Sequence, residues 1–199
     1  MKEIKIFILM LLLCMLMIFC YFQYAHPNMI YVKSDIDEKY YLVRNVDDKE
    51  EASNTLARLR NNILMLSDYL NEHKNDPEYI KNKEYIELLH SKADNIIIVE
   101  SSQDSIYTSY SVNKGEQIVF CLRTRTLPNN LHDINLMMYV VLHEISHVAC
   151  PIYDNHGPLF KRIFAFITKA AIKMNIYNKI DFFNKPEDYC GLMISDSIV

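Results

Sequence analysis

The sequence predicts an α+β domain carried behind an apolar N-terminal segment, and three stretches lead to that reading. Leu56, Leu59, Ile63, Leu66 and Leu70 step by three and four, the period of an amphipathic helix. Residues 95–122 are rich in β-branched and aromatic side chains and are interrupted by turn residues. A third stretch, Ile134 to Cys150, can run helically, and its turns from Leu136 to Leu142 are apolar on every side, so this helix should run through the core.

Ile6 to Phe22 contains no charged residue and follows Lys2 and Lys5. Seventeen such residues are long enough for a tilted helix to cross a bilayer core of roughly 30 Å. A cleavable signal peptide shares this pattern, but Gln23 lies two positions before Ala25, where a cleavage site wants a small residue. The expected organisation is therefore a transmembrane anchor or uncleaved signal over 1–24, a juxtamembrane linker over 25–48 interrupted by Pro27, and a domain over 49–199. Lys2 and Lys5 favour a single-pass orientation with the domain on the non-cytoplasmic side.

Within the domain, an amphipathic helix is expected from Lys49 to Tyr69 and a shorter one from Tyr79 to His90, after the break at Asn75-Asp76-Pro77. Asn95 to Glu100 reads as a strand buried on both faces. Tyr107 to Val112 and Gln117 to Leu122 read as a hairpin whose turn uses the positive φ open to Gly115. Asp133 suits the N-cap of the apolar helix, and Pro151 stops it.

Composition narrows the function classes. Half of the residues are apolar, as in a chain with a real core, and the net charge is −4 with Lys and Arg scattered. No basic stripe predicts a nucleic-acid partner. Five cysteines are present, two of them in the apolar N-terminal run. Cys121, Cys150 and Cys190 remain, without a CxxC pair, so neither a disulfide framework nor a Cys-rich zinc site is expected. One pair can close in an oxidising compartment, but the sequence does not name it.

The chemistry concentrates in His143-Glu144-Ile145-Ser146-His147. Spacing of four puts both imidazoles on one face of the helix, one turn apart, where two nitrogens can share an ion at about 2.0–2.1 Å. Glu144 lies between them, positioned to take a proton from a water acidified by that ion. Two histidines and a glutamate on a buried helix are costly unless compensated, and a divalent cation compensates them. Downstream, Pro158 suits the first turn of another helix, which would deliver His156 as a third ligand, with Asp154 as substitute. Zn2+ is the expected cofactor. Tyr153 and Tyr189 are candidates for binding an oxyanion, Cys190 is a candidate fourth ligand or a packed side chain, and His26, His73, His90 and His132 read as surface residues.

HEISHVACPIYDNHGPLFKRIF resembles the zinc site of the WLM and SprT-like metallopeptidases, in which HExxH is followed by a third histidine in an H-G-P-x-F type segment. The stretch from Thr108 through Gly191, including its Tyr189-Cys190-Gly191 ending, is also similar to a predicted peptidase of this group carried by large DNA viruses. The metzincin pattern does not fit, because Cys150 and Tyr153 stand where it wants Gly and His. This resemblance implies His143, His147 and His156 as ligands, Glu144 as the catalytic residue, and a zincin-like core with a small antiparallel sheet on a buried metal-binding helix. It also implies a cleft in which an extended peptide adds to a hairpin strand. The action of SprT-like proteins on DNA-bound proteins does not carry over to a chain lacking a basic patch. Expected partners are a protein or peptide substrate and the membrane. Two other readings stay open at this point: a catalytically inactive membrane-anchored binding module with a structural zinc, and a metal-free scaffold.

Overall fold

A computed structural model describes residues 2–25, 28–152 and 155–199. Helix α1 (Lys2–Ala25) is the apolar N-terminal segment, and its Ile4–Tyr21 portion is long and apolar enough to cross a membrane. None of that portion is buried against the rest of the protein. Pro27 and His26 lie outside the described residues.

The expected linker is instead structured. Strands β1 (Met29–Lys33) and β2 (Tyr40–Arg44) form an antiparallel hairpin, with Ile30 opposite Val43 and Val32 opposite Tyr41. Tyr41, Leu42 and Val43 are buried, so β2 belongs to the folded domain. The cause lies in the residues themselves: two short β-branched and aromatic runs flank a polar turn, in which Ser34 bonds back to Lys39.

Helix α2 (Lys49–His73) buries Leu56, Leu59, Ile63, Leu66 and Leu70, the face its periodicity predicts, and runs one turn beyond the expected end. A 3-10 turn at Ile80–Asn82 precedes α3 (Lys83–Ala93), so the second helix starts later than expected. Strands β3 (Ile97–Glu100), β4 (Tyr110–Val112) and β5 (Gln117–Phe120) form one sheet in the order β3-β5-β4. That sheet is mixed rather than antiparallel: β4 and β5 pair as the expected hairpin, whereas β3 joins the far side of β5 in parallel. The loop 101–109 carries the chain across, which is what a parallel partner requires. As an edge strand β3 also leaves Ile97 exposed, against the expectation of burial on both faces.

Gly115 has φ +104, as its place in the turn demands, and Asn113 and Lys114 are left-handed as well. A Cβ on Gly115 would lie 2.8 Å from a methyl of Val148, so the turn packs directly on the next helix. That helix, α4 (Ile134–Ala149), begins at Asp133, whose carboxylate accepts from the backbone N–H groups of Asn135 and Leu136. Leu136 to Leu142 are all buried, and α4 lies against α2, α3, β4 and α5 (Pro158–Lys173). A last hairpin, β6 (Glu187–Tyr189) and β7 (Leu192–Ile194), turns through Cys190 and Gly191 at positive φ.

Two long-range ties hold the layers in register. Arg123 is buried with its Nε 2.7 Å from Glu100 Oε1, and its Nη1 donates to Asp48 at the start of α2. Glu100 also accepts from the backbone N–H of Arg44, so β2, β3 and α2 meet on one ion cluster. A disulfide joins Cys121, after β5, to Cys190 in the last turn. On the outer face of the sheet Leu42, Val99 and Val119 form a second small apolar cluster, packed by Met29.

Candidate functional site

Helix α4 carries His143 and His147 one turn apart, and the N-terminus of α5 brings in His156 from the other side. The chain turns back after Pro151 and adopts a left-handed conformation at Asn155. Gly157 and Pro158 then open α5 immediately after the histidine. The three Nε2 atoms converge: His147 to His143 is 3.2 Å, His147 to His156 is 3.3 Å and His156 to His143 is 3.1 Å.

Phe160 forms the wall against which these rings rest. Its ring stacks on His147 at 4.1 Å between centroids and lies 5.0 Å from both His143 and His156. Phe164 packs edge-on against His143. Phe160 follows His156 by four residues, so one turn of α5 suffices to bring it under the cluster. The sequence signal lies in the H-G-P-x-F segment, of which Phe160 is the last residue.

Burial keeps His143 and His147 uncharged. Desolvation, then the neighbouring imidazoles His147 and His156, lower the pKa of His143 to about 3. His147 is lowered to about 4 by burial, then by His156 and by Lys114. The Lys114 ammonium donates to the carbonyls of Cys150 and Pro151 at the end of α4. The imidazoles of His143 and His147 are therefore neutral at physiological pH, the state in which nitrogen lone pairs can bind a metal. Glu144 is 4% exposed, and burial raises its carboxyl to about 8.

These residues line a cleft of about 820 Å³. One wall is β4 with the residues before it, the floor is α4, and the far wall is Leu192 to Asp196. Tyr189 also lines the cleft, but it is buried, with its hydroxyl bonded to Ser109 Oγ. Burial, partly offset by Ser109, drives its pKa upward. Cys190 is committed to the disulfide with Cys121 and does not serve as a ligand. Tyr153 and Asp154 lie outside the described residues.

His73, His90 and His132, expected at the surface, lie at its edge and make local contacts. Each is half-buried. His73 bonds to the carbonyl of Tyr69 and His90 to Ser67, while His132 approaches Cys190 Sγ at 3.3 Å beside the ring of Tyr189. Among the described residues, His143, His147 and His156 form the one group of His, Cys, Asp or Glu side chains close enough together to hold a metal.

No protein-family model matches the chain. A crystal structure of Wss1 from Saccharomyces cerevisiae is similar over 65% of this chain and 84% of that one, with a TM-score of 0.41 and 17% identity. A structure of a Wss1 mutant from the same organism is similar over 52% of this chain, with a TM-score of 0.32. In sequence, the uncharacterized protein 136R of Invertebrate iridescent virus 6 is 28% identical over 115 residues, covering 57% of this chain and 62% of its own length. The uncharacterized protein R325 of Acanthamoeba polyphaga mimivirus is 46% identical over 169 residues, which is 85% of this chain and 84% of that protein. The chain belongs to the same family of viral proteins as R325.

Proposed function

We propose that this chain is a zinc-dependent peptidase held at a membrane by α1, with His143, His147 and His156 as metal ligands and Glu144 as general base. The observation that carries this reading is the mutual approach of the three Nε2 atoms to 3.1–3.3 Å. Donors bound to zinc at 2.0–2.1 Å in a tetrahedron lie about 3.3 Å from one another. Each Nε2 carries either a proton or a lone pair, so at most two of the three mutual contacts can be hydrogen bonds, whereas a shared cation accounts for all three. Zinc supplies Lewis acidity toward a water molecule and a peptide carbonyl.

The remaining work falls to residues of the chain. Glu144 lines the cleft, follows His143 directly, and can take a proton from water and return it to the leaving amine. A nearby dication favours its ionised form and so opposes the effect of burial. Strand β4 is the free edge of the sheet along the cleft, and its backbone groups can pair with an extended peptide. A fourth ligand that would close the site as a structural one is not available from Cys190. Phe160 keeps the three rings oriented.

The test is hydrolysis of a peptide library by the purified protein, with and without chelator. Chelation abolishes cleavage and zinc restores it, while Glu144→Gln lowers the rate by about 10²-fold or more with zinc content unchanged. Cleavage that survives both chelation and Glu144→Gln overturns the reading.

A further inference from the structure

On the face of the sheet turned away from α4 lies a second cavity of about 450 Å³, floored by the cluster of Leu42, Val99 and Val119. Around it stand Met29, Tyr31, Ile106, Tyr107 and Tyr110, interleaved with the polar residues Ser102, Asp104, Ser105 and Gln117. Ile106 is 78% exposed and Tyr107 63% exposed, yet their loop is fastened. Arg125 donates to the carbonyls of Ser105 and Tyr107, and the ring of Tyr107 packs edge-on against Tyr110 at 5.6 Å. Exposed isoleucine and tyrosine side chains held outward around a hollow of mixed polar and apolar lining suit surroundings that offer both characters, as the headgroup region of a bilayer does.

The chain itself indicates which occupant. From Tyr21, where the apolar portion of α1 ends, four helical residues rise about 6 Å to Ala25. Residues 26–28 then allow at most roughly 14 Å before Met29, which stands on the rim. The headgroup layer on each side of a bilayer is roughly 5–8 Å deep. With α1 spanning, these lengths sum to at most roughly 20 Å, a tether short enough to let the rim settle into that layer, and the tyrosines on it are side chains that favour such a position.

We infer that the surface made by Met29, Tyr31, Ile106, Tyr107 and Tyr110 is a membrane-docking face, seated in the headgroup layer of the bilayer that α1 crosses. Tyr110 lines both this hollow and the large cleft, so docking brings the edge of β4 down to the membrane surface. The inference rests on α1 as an anchor and does not depend on peptidase activity.

The chain contains no tryptophan, so single reporters can be read without background. Full-length Ile106→Trp and Phe183→Trp are reconstituted in phosphatidylcholine vesicles, with or without a lipid carrying a nitroxide near the headgroup. Phe183 is exposed and lines neither cavity. Ile106→Trp is expected to lose most of its emission to the nitroxide lipid and to resist aqueous iodide, with Phe183→Trp behaving in the opposite way. An Ile106→Trp reporter quenched by iodide and not by lipid, in protein that resists carbonate extraction, overturns the docking face while leaving the anchor intact. Shielding from both quenchers overturns it in favour of a second copy or another protein surface. Release of the chain by carbonate overturns it by removing the anchor.

Discussion

At the scale of single residues, the site depends on keeping two imidazoles neutral and one carboxyl available, and pH reports on that balance. In the metal-free protein His143 and His147 stay neutral down to about pH 3 and 4, whereas unfolded they take up protons below about 6.5. Their contribution to stability is present above 6.5 and is lost as pH falls through those lower values. Glu144 acts in the opposite sense: folded it holds its proton up to about pH 8, unfolded only to about 4.5, so stability falls as pH rises between them. Between 4.5 and 6.5 the two histidines outweigh the one carboxyl, so for these groups stability peaks near pH 6.5. Thermal melts of chelated protein across pH should show this maximum, and Glu144→Gln should remove the alkaline decline. A wild-type melting temperature that keeps rising above pH 7 contradicts the assignment. Phe160→Ala removes the wall behind all three rings and should weaken zinc binding by about 10–100-fold, measured by competition with a chelator. Unchanged affinity would mean that the rings are held by other contacts.

Among the elements, those that form the site were legible because their signals are local. Apolar residues flanking an i, i+4 histidine pair specify a buried helix, and Pro151 and Pro158 punctuate the chain on either side of His156. Gly115 marked its turn for the same reason. The hairpin of β1 and β2 was missed because five-residue strands with a six-residue polar connection resemble a linker, and burial of Tyr41 to Val43 is decided by distant parts of the chain. Three-residue β6 and β7 carry too little pattern to be seen at all. The ion cluster of Arg123, Glu100, Asp48 and Arg44 joins residues up to 79 positions apart and leaves no periodic trace. It gives a prediction at this scale: Glu100→Ala strands the buried Arg123 guanidinium and should cost about 3–5 kcal/mol by denaturant unfolding. A cost below about 1 kcal/mol would show that water or Asp48 alone satisfies the arginine.

For the whole molecule, the parts combine into a mixed domain whose central helix α4 faces a cleft on one side and the hydrophobic core on the other. The disulfide between Cys121 and Cys190 ties the last hairpin, which walls that cleft, to the end of β5. Its pairing could not be read from three candidate cysteines, since proximity across 69 residues is a property of the fold. Helix α1 stands outside this packing, with no part of Ile4–Tyr21 buried, and that portion is long and apolar enough to cross a membrane. The central claim, three imidazoles sharing one zinc with a position left for solvent, is tested most directly by the X-ray absorption spectrum of the zinc-loaded protein. The account predicts one zinc per chain, about three histidine nitrogens and one further light atom at about 2.0–2.1 Å, and loss of this signature in His156→Ala. Absence of stoichiometric zinc, or a sulfur neighbour at about 2.3 Å, would contradict it.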